Sequence, residues 1–344
     1  MKNGLIRWFT LFTWVNRGES CFIRSCQAIT WPQTDGCNPH LLHHHQHHHP
    51  NFNHQHRPHN NFDSALGSLS RPPAKMHLIF DFDGTITQQD TIGELARSAI
   101  ELQRRISGDD LQASWDQVVQ SYVDDYRSYK KSHPAQEDTR TCVDDEIHFL
   151  SGLKDVEETS LVRVAESRIF AGLDAETLSQ AGADAVKEGR IKIRQGFSEV
   201  ISLANERGWS VSVVSVNWSR AFIRGALRPH ILDVVANEPA ADGSITGPEF
   251  LKGRMTNACE KLEALEHLVK EKDGRVVYFG DSTTDMECLL RGGVVISDED
   301  DSSLLKTLRR VGVSVPHVGE QAADVKVSWA RDFQEVLKSG LLDG

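Results

Sequence analysis

Residues 76–90 read MHLIFDFDGTITQQD: the apolar run Leu78, Ile79 and Phe80 passes straight into two aspartates, a glycine and two threonines. An unbroken apolar run bounded by a breaker is the pattern of a strand buried on both faces, as in a parallel sheet, and Gly84 supplies the break. Asp81 and Asp83 therefore fall where the strand ends. The carboxyl ends of strands are where open parallel sheets bind ligands, and ordinary strands avoid aspartate, so two acids there point to chemistry.

Outward from this stretch, the pattern from Thr85 to about Gln195 is helical. Segments such as DTIGELARSAIELQRRI and LVRVAESRIFAGL repeat apolar residues every three or four positions. Alternating α/β signals then resume. Helices are expected over 196–207, 218–227, 257–269, 284–291, 302–310 and 330–337, and strands over 209–216, 231–237, 275–279 and 293–296. Ala241, Asp242 and Gly243 mark a turn, so 237–247 reads as a small hairpin flap beside the site.

Three more features follow in order: Ser215 closing the strand-like VSVVS, Lys261 in ACEKLEAL, and GDSTTD at 280–285. With DFDGT at 81–85 they resemble the motif set of the haloacid dehalogenase-like hydrolases, most of which are phosphatases. The resemblance extends from Met76 to about Ser339 and is greatest to the phosphoserine phosphatase-like branch, which includes small-molecule phosphatases of fungi. It implies an α/β fold: a Rossmann-like parallel sheet core (76–88 and 195–344) with an all-helical cap (89–194) inserted after the first strand. Such a cap closes over the site and selects the substrate.

The resemblance also implies roles. Asp81 is the expected nucleophile, forming an aspartyl-phosphate, and Asp83 the acid that protonates the leaving group and later activates water. Gly84, Ser215, Val216, Asn217 and Lys261 are expected around the phosphate, with Lys252 as the rival lysine. Asp90 and Thr91, at the cap entrance, are expected to touch substrate. Asp90 replaces the glutamate usual in phosphoserine phosphatases, which argues against phosphoserine itself. Crowded carboxylates repel unless a cation sits among them, and an oxygen-only donor set with a phosphate substrate suits Mg²⁺. The expected metal set is the Asp81 side chain, the Asp83 backbone carbonyl, Asp281 and waters, with Asp285 orienting a bound water or Lys261. Dehalogenating members lack the second acid, so Asp83 favours phosphate chemistry. The expected activity is Mg²⁺-dependent hydrolysis of a small phosphorylated metabolite. A catalytically silent metabolite-binding protein and a phosphotransferase or mutase share the same motifs and stand as alternatives.

Composition agrees with an ordinary globular protein: 39% hydrophobic and 25% charged residues among 344. The net charge is −11, and residues 1–75 hold seven Lys or Arg against three Asp or Glu, so residues 76–344 carry −15. That balance argues against a nucleic-acid partner. No stretch is long and apolar enough to span a membrane. Six cysteines without a CxxC pair suggest reduced thiols and a cytoplasmic location. Residues 1–75 contain ten of the sixteen histidines and six of the eleven prolines. They read as a disordered His-rich tail, with metal sequestration a further reading of its histidine tract. The basic, acid-poor stretch 1–24 would make the location mitochondrial if it is a presequence.

Overall fold

The computed structural model describes residues 75–320 and 325–343, so the expectations for the His-rich tail and its presequence lie outside the described residues. The strands are β1 (Met76–Phe80), β2 (Ser210–Val214), β3 (Asp233–Val235), β4 (Glu238–Pro239), β5 (Ile245–Thr246), β6 (Arg275–Gly280), β7 (Gly293–Ile296) and β8 (Val327–Ala330). Six of them form a parallel sheet in the order β3-β2-β1-β6-β7-β8, and β4 pairs with β5 as an antiparallel hairpin. The deciding stretch thus lies at the centre of the sheet. Phe80 is in register with Val213 on one side and Phe279 on the other. The chain positions just beyond these strands, Asp81, Ser215 and Asp281, consequently gather at one edge.

Between β1 and β2 the chain is helical: α1 (Ile92–Ile106), α2 (Gln112–Ser132), α3 (Val143–Gly152), α4 (Lys154–Ser167) and α5 (Ala175–Lys187). The helices α6 (Phe197–Arg207), α7 (Arg220–Ala226), α8 (Ala258–Val269), α9 (Met286–Leu289), α10 (Ser303–Arg310) and α11 (Phe333–Lys338) alternate with the later strands. Successive strand residues face opposite ways, and both faces are covered. Leu78 and Phe80 pack with Phe197 of α6 and Phe333 of α11. Ile79 packs on the other side with Leu265 of α8 and Leu304 of α10. Phe80 stacks on Phe279 at 4.6 Å between ring centres and meets Phe197 and Phe333 edge-on, both at 5.5 Å.

The inserted helices have their own core, built from Leu95, Ala99, Trp115, Leu161, Phe170 and Leu178, and it continues into Trp218 and Phe222 beside and on α7. Contact between α5 and α7 is backbone to backbone. A Cβ on Gly225 would lie 1.8 Å from the carbonyl oxygen of Ser179, and one on Gly182 would lie 2.1 Å from that of Phe222. Ion pairs cross at another place: Lys154 of α4 with Glu260 of α8 at 2.5 Å, and Glu158 of α4 with Arg254.

Three expectations are corrected. The helix expected over 330–337 begins at Phe333, and Ala330 instead ends β8, whose Val327, Trp329 and Ala330 are buried. The helix expected over 284–291 is interrupted. Ser282 and Asp285 cap each other reciprocally, making a tight turn at Thr283–Asp285 before the short α9. The hairpin meets the inserted helices, through Ile245 in their core and a hydrogen bond from Gly172 N–H to the Ala241 carbonyl, and none of its residues lines the central cavity.

Gly225→Ala is expected to lower unfolding stability by about 1–3 kcal/mol, because neither backbone can yield without separating α5 from α7. Gly253→Ala is the control: an added Cβ there meets nothing within 4 Å. It should stay within about 0.5 kcal/mol of the parent. Urea unfolding of both variants checks this, and equal midpoints would refute the close-packing argument.

Candidate active site

Beyond β1 the chain turns back at once, with Gly84 at φ 76°. That conformation favours glycine, and the space requires it too, since a Cβ would lie 2.2 Å from Asp281 Oδ2. Thr87 closes the turn by accepting the Gly84 N–H and donating to the Phe82 carbonyl. The buried Arg194 braces it from below, donating to the carbonyls of Gly84 and Thr85 while pairing with Asp298 at 2.5 Å. Asp81 is fixed through its own N–H, which donates to the Phe279 carbonyl at 2.8 Å.

Asp81, Asp281 and Asp285 each bring a carboxylate oxygen within 4.8 Å of the others. Lys261, fully buried on α8, lies 2.8 Å from Asp81 Oδ1 and 2.6 Å from Asp285 Oδ1. Asp81 Oδ1 meets the Lys261 ammonium as an ion pair and has no other donor among the described residues. Asp285 is the opposite case. Its Oδ1 accepts from Lys261 and from the Tyr278 hydroxyl, and its Oδ2 accepts from the N–H groups of Asp281 and Ser282 and from the Ser282 hydroxyl. Asp285 is therefore saturated, and of the two tasks expected of it the geometry provides the orienting of Lys261. Asp281 Oδ1 accepts only the Thr85 hydroxyl, at 3.0 Å.

Burial dominates the ionisation of this cluster. It pushes Asp81 up to about 8 against the pull of Lys261, with Asp285 and Asp83 pushing the same way. Burial and the neighbouring Asp81 and Asp285 carry Asp281 well above the carboxylate range. For Lys261 burial alone would lower the pKa, but Asp285 and Asp81 together hold it above its usual value. Once ionised, three carboxylates against one ammonium leave two negative charges, which a divalent cation balances with hard oxygen donors. The donor set fits Mg²⁺, with Asp81 and Asp281 as the side chains that still have acceptor capacity.

Asp83 stands apart from the three. Its Oδ1 accepts the Thr91 N–H and hydroxyl at 2.8 and 2.6 Å, and its Oδ2 accepts Asn217 Nδ2 at 2.8 Å. Burial raises its pKa, and those same bonds from Thr91 and Asn217 lower it in part. Thr91 and Asn217 thus act on Asp83: Thr91 does not line the cavity, and Asn217 lines it while its amide holds the acid. Ser215 is buried after β2 and its Oγ accepts the Asn217 N–H at 3.2 Å. Lys252 is exposed, whereas Lys261 touches Asp81.

A cavity of ≈ 80 Å³ runs from Asp81 and Asp83 to the inserted helices, reaching Asp90, Tyr122, Glu157 and Trp218. Tyr122 of α2 donates to Glu157 Oε1 of α4 at 2.8 Å. The sequence reading did not include these two, nor Thr85, Thr87, Arg194 and Tyr278. Tyr278 was signalled by a phenol in an otherwise apolar strand just before GDSTTD; Tyr122 and Glu157 had no signal, because helical spacing does not tell which turn faces the cavity.

Residues 78–290 match the model of the haloacid dehalogenase-like hydrolases, and the chain belongs to that family. It is similar to a CTO1 family protein of Schizosaccharomyces pombe, 29% identical over 237 residues, 62% of this chain and 78% of that one. A phosphoserine phosphatase of Archaeoglobus fulgidus is 26% identical over 247 residues, 67% of this chain and 57% of that one. Among solved structures, a phospho-aspartyl intermediate analogue of phosphoserine phosphatase is 23% identical with a TM-score of 0.42, covering 77% of this chain and 98% of that one.

Lys261→Met removes the only ammonium touching Asp81 and Asp285 among the described residues. At pH 8 it is expected to cost about 3–5 kcal/mol of stability, as breaking a buried pair does. The loss should shrink as the pH is lowered and Asp81 takes up a proton. Chemical denaturation at pH 8 and pH 6 measures it, and a pH-independent loss would count against the electrostatic origin.

Proposed function

We propose that the chain is a Mg²⁺-dependent phosphomonoester hydrolase acting on a small phosphorylated metabolite through an aspartyl-phosphate on Asp81. The observation that carries this is the pair of contrasting acids after β1: among the described residues Asp81 meets one donor, the Lys261 ammonium at Oδ1, while both oxygens of Asp83, two residues on, accept hydrogen bonds. A nucleophile needs an available lone pair aimed into the site, and an acid-base group needs a fixed position and a raised pKa. Family membership and the phosphoserine phosphatase relative support the same reading.

In the first step an Asp81 oxygen attacks phosphorus in line as the ester oxygen leaves with a proton from Asp83. In the second, water attacks the acyl phosphate, gives its proton to Asp83, and releases phosphate and Asp81. Lys261 screens Asp81 and the phosphoryl oxygens, and Asp285 with Tyr278 keeps that ammonium in place. The Ser215 hydroxyl, accepting from Asn217 N–H, keeps its own hydrogen for a phosphate oxygen. The cation, on Asp81, the Asp83 carbonyl and Asp281, supplies charge neutralisation of the transferring group.

Phosphate release from a panel of phosphate esters should require Mg²⁺ and fall to background in Asp81→Asn. Asp83→Asn should slow alkyl phosphates by about 10²–10⁴-fold and p-nitrophenyl phosphate much less, because a nitrophenolate leaves without a proton. Equal losses on both would remove Asp83 from the acid role.

Cation binding should also release protons. With the Asp81 pKa near 8, the acid holds a proton at pH 7, and a divalent ion must displace it. Mg²⁺ affinity therefore rises with pH towards 8. Calorimetry at pH 7 in buffers of different ionisation enthalpy should detect net proton release from Asp81 and Asp281; no release would mean that both acids are ionised before the ion arrives.

A further inference from the structure

The cavity has two ends of different chemistry. At one end are Asp81 and Asp83, where the proposed phosphoryl group sits. At the other are Asp90, Tyr122, Glu157 and Trp218, with Ile92 and the leucines of α3 and α4 between them. Among the described residues, no lysine, arginine or histidine lines it.

The far end bears an unmet demand. Asp90 Oδ1 accepts the Ile92 N–H at 2.9 Å, but Asp90 Oδ2 is buried and has no hydrogen-bond partner. Burial, and then the charge of Asp83, keep this acid well above the carboxylate range. Across the cavity Glu157 accepts the Tyr122 hydroxyl, and burial pushes its pKa up to about 7. An uncompensated buried acceptor costs free energy until a donor arrives, and a cation satisfies it best.

An anionic group finds nothing comparable. The start of α8 reaches the cavity, but four of its N–H donors are taken: those of Cys259 and Glu260 go to Asn257 Oδ1, and those of Thr256 and Asn257 go to Glu260 Oε2. At the GDSTTD turn Ser282 N–H goes to Asp285. A substrate carboxylate would thus sit among acids with no counter-charge.

From this we infer that the leaving group of the substrate is a cationic alcohol without a carboxylate, a phosphorylated amino- or ammonio-alcohol, whose positive end lies between Asp90 and Glu157 against the rings of Tyr122 and Trp218. Aromatic faces attract such cations, and the apolar walls fit the carbon body that carries the charge. The inference rests on the hydrolase reading for its phosphate end and names the other end of the substrate.

The test compares ethanolamine phosphate and choline phosphate with neutral esters of matching shape, propyl phosphate and 3,3-dimethylbutyl phosphate, and with L-phosphoserine. With the full chain and Mg²⁺, kcat/KM for at least one cation should exceed its neutral counterpart by about tenfold or more, and phosphoserine should fall below that cation. Glu157→Gln and Asp90→Asn, each checked for folding by circular dichroism, should bring the ratio towards one. Hydrolysis of charged and neutral esters at equal kcat/KM would overturn the inference and leave the hydrolase reading standing. If no ester is hydrolysed, calorimetric titration of the same pairs decides. Tighter binding of the cationic ester upholds the inference while the hydrolase reading falls, and equal or absent binding overturns it.

Discussion

One ammonium among three carboxylates, shut inside an otherwise apolar fold, is the constraint around which this structure is arranged. Lys261 touches Asp81 and Asp285 without exposure to water. Such a group is tolerated only where the geometry and supporting hydrogen bonds offset desolvation. The support is extensive: Asp285 is held by the Tyr278 hydroxyl and by the turn around Ser282, and Asp81 by its place at the end of the central strand. The aromatic packing of Phe80, Phe197, Phe279 and Phe333 fixes the strands that end there.

The support divides the acids into distinct tasks. Asp81 and Asp285 are buried and Asp83 and Asp281 half-buried, and each has a different set of neighbours. Asp285 is saturated with donors, Asp83 is held at both oxygens, and Asp81 faces an ion pair with lone pairs to spare. Hydrogen-bond satisfaction separates a structural acid from a reactive one more sharply than burial does.

The sheet, the helical insertion and the positions of Asp81, Asp83 and Asp281 were legible because each depends on a local signal: an apolar run, a breaker, or an acid where a strand stops; Lys261 came from the family resemblance alone. The extra strand β8 was missed because VKVSWA lies beside a segment with equally good helical spacing. Thr91 and Asn217 were read as substrate and phosphate residues, and the structure adds that their side chains hold Asp83; a sequence shows that polar groups are near but not which one a given donor reaches. Tyr122 and Glu157 were illegible for a related reason. They lie thirty-five residues apart on two helices, and only the packing of α2 against α4 brings them together.

The glycine contact between α5 and α7 also limits how the molecule can breathe. Where backbones touch at Gly182 and Gly225 there is no side chain to rotate aside, and any shear would drive carbonyl oxygens into the facing helix. That flank behaves as a weld. The opposite flank, where Lys154 meets Glu260 and Glu158 meets Arg254, is joined by long charged side chains that reach across and re-form in new positions. The α4 contact therefore has side chains that can rotate, where the α5 contact has only backbone.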